Sequence, residues 1–294
     1  MRLAVLGMGR MGKAIAGRLL DDHEVTIWNR TPGKAPELVD RGAKEAHSIG
    51  EAVGGADLVL VSLANDDAVR SVALGDEGIR SALGADATYV ETSTVAPTLT
   101  QELAGEFDRF VAMPVLGSPN QVDAGEAIYL VGAEGDLAAA VEPLFPRLSE
   151  KRLRYDRPAL ASVAKVTVNL LLLDGVVALS EAFADGRAGG LDDDQLRELL
   201  GESPMVAPGL RYRFEGILTG EQEAIWSTTL GRKDARLALD VARSGGVELP
   251  LTTTASKLYE RAASRAEDAD IATVTRLYKK DTSDTSGKDA EADG

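Results

Sequence analysis

The chain has no cysteine, only two histidines and few aromatic residues, which make up 4% of its 294 positions. Without cysteine the protein has no disulfides, no thiol chemistry and no cysteine ligands for a metal. His23 and His47 fall on predicted connections between strands and helices, where we expect surface side chains rather than catalytic ones. Any catalytic chemistry therefore has to come from other residue types.

Positive charge is also scarce, since 32 Lys and Arg stand against 47 Asp and Glu, a formal net charge of −15 at pH 7. Nucleic acids and anionic membranes need a basic surface, so we expect neither as a partner. No apolar run reaches the ~20 residues of a membrane span, and a strand pattern begins directly after Met1, which leaves no room for a signal peptide. The expected location is the cytoplasm.

The hydrophobic pattern changes near residue 155. Before it, short apolar segments alternate with amphipathic ones, which predicts a mostly parallel, doubly wound sheet of the Rossmann type. After it the pattern is helical, beginning with one largely apolar helix over residues 161–188. The predicted fold class is therefore α/β, with a Rossmann-type domain at residues 1–158, an all-α domain at 159–280 and a disordered acidic tail at 281–294.

Seven strands are predicted, at residues 3–6, 25–28, 58–62, 88–91, 109–112, 128–131 and 152–155. In the first domain, helices are predicted at residues 37–41, 66–74, 98–107 and 137–148. In the second domain, the long helix is followed by predicted helices at residues 193–200, 229–244, 252–266 and 271–278.

A glycine-rich segment, G-M-G-R-M-G at residues 7–12, lies between the first predicted strand and an amphipathic helix pattern. Gly7 permits a tight turn, Gly9 lets the backbone approach a pyrophosphate, and Gly12 lets the helix pack close to the strand. The helix N-terminus then offers N–H groups to phosphate. Such a pattern also occurs in ordinary glycine loops, but the flanking strand and helix favour dinucleotide binding. The candidate cofactor-binding residues here are Gly7, Met8, Gly9, Arg10, Met11 and Gly12.

The second predicted strand ends at Asn29, Arg30 and Thr31, where an NAD site usually carries an acidic residue for the ribose hydroxyls. An acid would repel a 2′-phosphate, whereas Arg30 offers a planar, permanently charged group that can bind phosphate. Arg10 and Arg30 would give an acidic chain the local basic patch that such a cofactor needs, and Lys34 can add to it. These residues predict NADP(H); the alternative is that Arg30 is a solvated loop arginine.

Ligands of doubly wound sheets bind at the carboxyl ends of the strands. We therefore expect the loop after Ser62, which begins with Leu63, and the loop after Glu91 to lie beside the cofactor.

Lys165 stands in an otherwise apolar stretch of the long predicted helix, and Asn169 follows one turn later on the same face. A lysine in such surroundings can donate a proton to a carbonyl oxygen while hydride reaches the carbon, and Asn169 can hold the same oxygen or orient the lysine. The alternative is a lysine that extends to solvent and pairs with an acid. Lys233 gains no function from its spacing alone.

Taken together, four separated motifs resemble the β-hydroxyacid dehydrogenase family of 3-hydroxyisobutyrate dehydrogenases and glyoxylate or succinic semialdehyde reductases. Residues 7–12 are similar to the family's GxGxMG turn, and E-T-S-T-V-A-P at residues 91–97 to its STxxP loop. Lys165 with Asn169 resembles its catalytic Lys-x-x-x-Asn, and Lys233 followed by Asp234 its Lys-Asp pair. The resemblance covers residues 1 to about 280. It implies that Thr94 and Ser93 touch the nicotinamide end, and that Lys233 reaches cofactor or substrate from the helical domain.

The chain departs from the family in its substrate loop, which reads A-M-P-V-L-G-S at residues 112–118 where the family usually has D-A-P-V-S-G-G. Leu116 replaces the serine that would bind a substrate carboxylate, so the backbone amides of Leu116 and Gly117, together with Ser118, are the substitutes. Ala159 and Ala161 also stand where glycines normally precede the catalytic lysine. Ser118, Asn120 and Gly125 resemble the semialdehyde and glyoxylate reductase branch, whereas Leu116 equally suits a less polar substrate.

The resulting hypothesis is an NADP(H)-dependent oxidoreductase that moves hydride between nicotinamide and a small hydroxy acid or aldehyde acid. Lys165 is the general acid and base, with Asn169 as its partner in catalysis and substrate binding. The long apolar helix indicates a homodimer or homotetramer. Two alternatives stay open: imine reduction, although imine reductases usually carry Asp or Tyr at the position of Lys165, and an NADP-binding module without turnover.

Overall fold

The structure, a computed structural model, describes residues 1–266 and 268–278. The predicted tail at residues 281–294 lies outside this range. The described chain divides into two compact units, one made of Met1–Asn169 with Asp240–Val247 and the other of Leu170–Leu239 with the described residues from Glu248 onward. The division falls inside the long helix that carries Lys165 and Asn169.

The strands of the described chain are β1 (Arg2–Leu6), β2 (Glu24–Trp28), β3 (Lys44–Glu45), β4 (Leu58–Val61), β5 (Thr88–Glu91), β6 (Phe110–Ala112), β7 (Val115–Leu116), β8 (Ile128–Gly132) and β9 (Arg152–Tyr155). These nine strands form one sheet in the order β3-β2-β1-β4-β5-β6-β8-β7, with β9 beside β8. The six strands from β3 to β6 in this order run parallel, and β8 is antiparallel to both β6 and β7. This parallel-dominated sheet, followed by helices, confirms the predicted fold class.

Both faces of the sheet are covered by helices, as a doubly wound arrangement requires. Alternation along β1 shows this directly, because Leu3 and Val5 belong to one hydrophobic core while Ala4 and Leu6 belong to the other. The helices before the long one are α1 (Arg10–Leu19), α2 (Pro36–Asp40), α3 (Ile49–Val53), α4 (Asp66–Leu74), α5 (Ile79–Ala82), α6 (Pro97–Glu106), α7 (Pro119–Asp123) and α8 (Phe145–Leu148).

The sequence pattern missed the shortest elements and one change of helix type. Strands β3 and β7 have two residues each, too few to carry an alternation. The helix predicted at residues 137–148 is a 3₁₀ helix over Leu137–Leu144 followed by α8, and Pro143 lies inside the 3₁₀ segment. Proline has no N–H to give to a regular α-helical ladder, which accounts for the break.

The second unit is helical, and it includes the part of the long helix α9 (Pro158–Ala188) that follows Asn169. Helix α9 starts three residues before its predicted first residue, 161. Proline favours the first turn of a helix, which explains the earlier start. Leu173, Val176 and Phe183 of α9 are fully buried in the core of this unit. The other helices are α10 (Asp193–Glu202), α11 (Pro208–Arg211), α12 (Phe214–Thr219), α13 (Thr228–Ser244) and α14 (Pro250–Arg265), with a 3₁₀ helix at Ile271–Tyr278.

Among the described helices, α9 alone is long and apolar enough to cross a membrane by length and composition. A helix buried in the core of a folded domain satisfies the same two criteria. The polar residues Lys165, Asn169 and Asp174 interrupt its apolar surface.

A buried ion pair fixes the segment that leads into α13, the helix of Lys233. Arg213 Nε donates to Asp270 Oδ1 over 3.1 Å, and both side chains are almost entirely buried. Asp270 Oδ2 also accepts the N–H groups of Ile225 and Trp226, at 2.9 and 3.0 Å. Since a buried charge is costly unless it is paired and hydrogen-bonded, this carboxylate firmly holds the chain that precedes α13.

Candidate functional site

The three glycines of the turn after β1 meet different surroundings. Gly7 has φ +100°, and a Cβ there would lie 2.2 Å from the carbonyl oxygen of Ser62. A Cβ on Gly12 would lie 1.9 Å from the carbonyl oxygen of Gly7. A Cβ on Gly9, by contrast, would have no atom within 4 Å. The fold therefore requires Gly7 and Gly12, whereas Gly9 leaves open space in front of the backbone.

Helix α1 begins directly after this open position. Its N-cap is Gly9, with no side-chain cap and no acidic residue in the first turn. Arg10 is exposed, whereas the side chain of Met8 is buried and that of Met11 packs against the core. The two methionine side chains therefore have little to offer a cofactor, and the helix start suits an anionic group.

Asn29 links the glycine turn to the end of β2, a role that its sequence position alone did not reveal. Its Oδ1 accepts the N–H of Met8 over 3.0 Å, and its Nδ2 donates to the carbonyl oxygen of Thr31 over 2.9 Å. Arg30 and Thr31 are exposed, and Arg30 makes no hydrogen bond or ion pair with the rest of the described chain. The arrangement holds the loop by Asn29 and leaves the guanidinium of Arg30 available to a ligand.

Glu45, on the short strand β3, is a further residue of this loop that sequence reasoning missed. Its Oε1 accepts the N–H of Gly33 over 2.8 Å, so the carboxylate braces the loop that carries Arg30 and the exposed Lys34.

These residues fit a dinucleotide. The backbone before α1 is open at Gly9, and the Arg30 side chain is exposed at the end of the adjacent strand β2. The first feature suits a pyrophosphate, and the second suits an adenosine ribose with or without a further phosphate.

The loops after β4 and β5 are joined by a chain of hydrogen bonds. The Leu63 N–H donates to Ser93 Oγ over 2.8 Å, and the Ser93 N–H donates to Glu91 Oε1 over 2.7 Å. The Tyr89 hydroxyl donates to the second carboxyl oxygen, Oε2, over 2.6 Å. The structure thus brings Leu63 and Ser93 together, and Thr94 follows them, half-buried, in the same loop.

The Glu91 side chain is fully buried, and desolvation by burial raises its pKa from 4.5 to about 7, against the lowering effect of its hydrogen bonds to Ser93 and Tyr89. Tyr89 is buried as well, and its pKa lies far above the usual value because of burial and the neighbouring carboxyl group.

This raised pKa predicts a pH-dependent stability. Between pH 4.5 and about 7 the folded protein keeps a proton that the unfolded chain has released, so the Glu91 contribution to the free energy of unfolding falls as pH rises. Glutamine does not titrate, so Glu91→Gln should not lose stability in this way. The free energy of unfolding of the variant minus that of the unmodified protein should increase by about 3 kcal/mol between pH 4.5 and about 7. Urea unfolding of both proteins at the two ends of the window measures this; a constant difference would contradict the assignment.

Lys165 lies against the predicted substrate loop. Its Nζ donates to the carbonyl oxygen of Val115 over 2.6 Å, and Asn169, one turn further along α9, is buried. Val115 and Leu116 form β7, which pairs with β8. Gly117 follows directly after β7 and has φ +147°. The residue pair on α9 and the loop after Val115 are therefore brought together within the first unit.

Ser118 has a structural task in this loop. It is the N-cap of α7: Ser118 Oγ accepts the N–H of Gln121 over 3.3 Å, and Ser118 N–H donates to Gln121 Oε1 over 2.9 Å. Its backbone N–H is thus used within the protein, and the hydroxyl hydrogen is the group that Ser118 can offer to a substrate. Leu116 is half-buried and Gly117 is exposed.

The three remaining residues are Lys233 and the two histidines. Lys233, in the second unit, lies 3.0 Å from Asp234 Oδ1 through its Nζ. His23 differs from the expectation of a surface residue, because its ring nitrogens are buried and burial lowers its pKa. His47 is exposed, as expected.

Comparison with known proteins covers both parts of the chain. Residues 2–157 match the family described as the NAD binding domain of 6-phosphogluconate dehydrogenase, and residues 160–278 match the NAD-binding domain of NADP-dependent 3-hydroxyisobutyrate dehydrogenase. An uncharacterized oxidoreductase of Bacillus subtilis, YfjR, is 31% identical over 95% of this chain and 100% of its own length. Glyoxylate/succinic semialdehyde reductase 1 of Arabidopsis thaliana is 27% identical over 95% of this chain and 99% of its own.

The solved structures agree on the fold. The 3-hydroxyisobutyrate dehydrogenase of Salmonella typhimurium superposes with a TM-score of 0.84 at 20% identity, over 94% of this chain and 99% of that one.

Proposed function

The chain belongs to the 3-hydroxyisobutyrate dehydrogenase family of NAD(P)-dependent oxidoreductases, and from this premise we propose that it prefers NADP(H) and uses Lys165 as its general acid and base. The proposed reaction moves hydride between nicotinamide and the carbonyl or hydroxyl carbon of a small hydroxy acid or aldehyde acid.

The observation that carries the proposal is the contact of Lys165 with the substrate loop. The ammonium group has three N–H donors, and its bond to Val115 O, 2.6 Å long, aims it at the chain segment that leads to Leu116 and Gly117. From there it donates a proton to the carbonyl oxygen in reduction and accepts one from the hydroxyl in oxidation. Asn169, on the same helix face, holds the reacting oxygen or orients the ammonium. Bound NADPH supplies the hydride.

The expected substrate is small and carries a carboxylate. Exposed backbone at Gly117 and the hydroxyl hydrogen of Ser118 are the groups proposed to bind it, beside the half-buried side chain of Leu116. Ser93 and Thr94 are proposed to contact nicotinamide and substrate from the loop after β5. The named activity of the Arabidopsis relative makes glyoxylate and succinic semialdehyde the first compounds to test.

NADPH consumption by the purified protein tests the function. The panel is glyoxylate, succinic semialdehyde, 2-methyl-3-oxopropanoate and a cyclic imine. Turnover of at least one aldehyde acid is the expected result. Turnover of the imine alone would replace the proposal by imine reduction, and tight NADPH binding without turnover of any member would favour a binding module.

The preference for NADP(H) is proposed on Arg30. Its exposed guanidinium can bind the 2′-phosphate of NADPH through paired hydrogen bonds. NADH has no such phosphate. Arg30→Ala should raise the Kd for NADPH about tenfold or more and change the Kd for NADH by less than about threefold. Fluorescence titration with both cofactors measures this, and Lys44→Ala, which removes one exposed charge from β3, is the control. Equal use of both cofactors, unchanged by the Arg30 substitution, would contradict the preference.

Further proposals concern assembly and location. Val168 and Leu171 are exposed on α9, as are Met205 and Tyr212 in the second unit, and such apolar side chains suit a homodimer or homotetramer, which light scattering tests. We propose that the protein is cytoplasmic, with a small-molecule substrate and no nucleic-acid or membrane partner. Lys233 is proposed to bind cofactor, a role that NADPH affinity of Lys233→Ala tests.

A further inference from the structure

Glu91 occupies an unusual place for a carboxylate. It ends β5 between the apolar residues Val61 of β4 and Ala112 of β6, and it is 1% exposed. Burying a carboxyl group costs free energy unless its oxygens are hydrogen-bonded. Both of its oxygens are hydrogen-bonded, and one of them serves the loop that is proposed to contact nicotinamide.

We propose that Glu91 is a positioning residue of this enzyme, which sets the backbone of Ser93, and through the Ser93 hydroxyl that of Leu63, for nicotinamide binding. The inference rests on the proposed function, in which Ser93 and Thr94 contact nicotinamide.

The geometry favours positioning because Glu91 is itself held rigidly. The ring of Tyr89 packs edge-on against Phe107 and Phe110, at centroid distances of 4.8 and 5.2 Å. Its hydroxyl, thus fixed by the core, donates to Glu91 Oε2 over 2.6 Å, and Glu91 Oε1 accepts the Ser93 N–H over 2.7 Å. The aromatic cluster of Tyr89, Phe107 and Phe110 thus fixes the Glu91 carboxyl group. The carboxyl group in turn holds the loops after β4 and β5.

Few charged or titratable groups face the Glu91 carboxyl group. Tyr89 faces it from its own strand and Asp66 faces it from α4, while β4 and β6 present apolar residues at its side. Asp66 Oδ1 and Oδ2 lie 3.3 and 3.2 Å from the Ala96 N–H, which they accept at the start of α6. Burial first, and the like charge of Asp66 in addition, raise the pKa of Glu91 to about 7, so the group changes charge near neutral pH.

Ionisation should tighten the loop. The carboxylate accepts the Tyr89 and Ser93 bonds as charge-assisted hydrogen bonds, which are about twice as strong as neutral ones. When Glu91 is protonated, the oxygen that carries the proton becomes a hydrogen-bond donor. Above pH 7 the loop is therefore better ordered, and NADPH binds more tightly.

The first test uses the protein without cofactor. The amide resonances of Ser93 and Leu63 should shift in a single step near pH 7, a readout that does not depend on turnover. Glu91→Gln, which keeps the shape without the charge, should abolish the step. Glu106→Gln, on the exposed surface of α6, should keep it. A step of the same size and midpoint in Glu91→Gln, or no step in the unmodified protein, would overturn the inference.

The second test measures the Kd for NADPH against pH. Glu91→Gln should bind like the unmodified protein near pH 6 and about threefold to tenfold more weakly near pH 8, while Glu106→Gln follows the unmodified protein throughout. Tyr89→Phe should weaken binding in the same range by removing one donor. Identical affinities at every pH would overturn the inference even if turnover is normal. Failure of all substrates with the amide step intact would instead count against the proposed function.

Discussion

Lys165→Ala is expected to lower kcat by ~10² or more while leaving the Kd for NADPH nearly unchanged. The ammonium lies 2.6 Å from the Val115 carbonyl oxygen at the substrate loop, and nothing else in the proposed mechanism donates the proton. Because its loss removes an interaction made in the transition state, kcat and kcat/KM should fall together.

Two variants control this result. Lys165→Arg keeps a positive charge that can bond to Val115, but the guanidinium does not give up a proton, so it should stay slow. Lys151→Ala removes an exposed lysine and should behave like the unmodified protein. Full activity in Lys165→Ala, or recovery of full activity in Lys165→Arg, would end the proton-transfer assignment.

Gly12→Ala and Gly9→Ala should separate folding from cofactor binding. A Cβ on Gly12 would lie 1.9 Å from the Gly7 carbonyl oxygen, so the substitution should cost about 3 kcal/mol or more, although alanine is normally the better helix former. A Cβ on Gly9 meets no protein atom within 4 Å, so folding should change by less than about 1 kcal/mol.

The methyl group that Gly9→Ala introduces would occupy the space in front of the α1 N-terminus. NADPH affinity of Gly9→Ala should therefore fall about tenfold or more in a protein of normal stability. Urea unfolding and NADPH titration of both variants give the comparison. Unchanged affinity in Gly9→Ala would remove this turn from the cofactor site, and normal stability in Gly12→Ala would contradict the close packing of α1 on the turn.

Local pattern predicted the glycine turn and most of the Rossmann-type sheet correctly. The turn needs only neighbouring residues, a buried strand before Gly7 and a helix after Gly12, and both are visible in the sequence. The predicted helix at residues 66–74 has its observed bounds, and the structure shows why it begins there: Asn65 is a strong N-cap residue whose side chain accepts the Ala68 N–H.

Contacts between distant residues could not be predicted in the same way. Lys165 and Val115 are 50 positions apart, and the apolar neighbours of the lysine indicated a special setting without naming its partner. Asn29 and Met8 are 21 positions apart, and no local pattern indicated that the Asn29 amide joins two loops.

Some missed features did carry a local signal. The S-P-N-Q sequence at residues 118–121 has the spacing of a capping box, which reveals the structural task of Ser118. An acid at the end of an apolar strand marks Glu91, but whether it is buried depends on packing by distant parts of the chain, which no short pattern encodes.

The most direct test of the account is rescue of Lys165→Ala by added primary amines, followed as NADPH oxidation with the best aldehyde acid substrate. If Lys165 transfers the proton, the rate should rise with amine concentration and should vary systematically with the pKa of the amine. A rate that is independent of both would contradict the account.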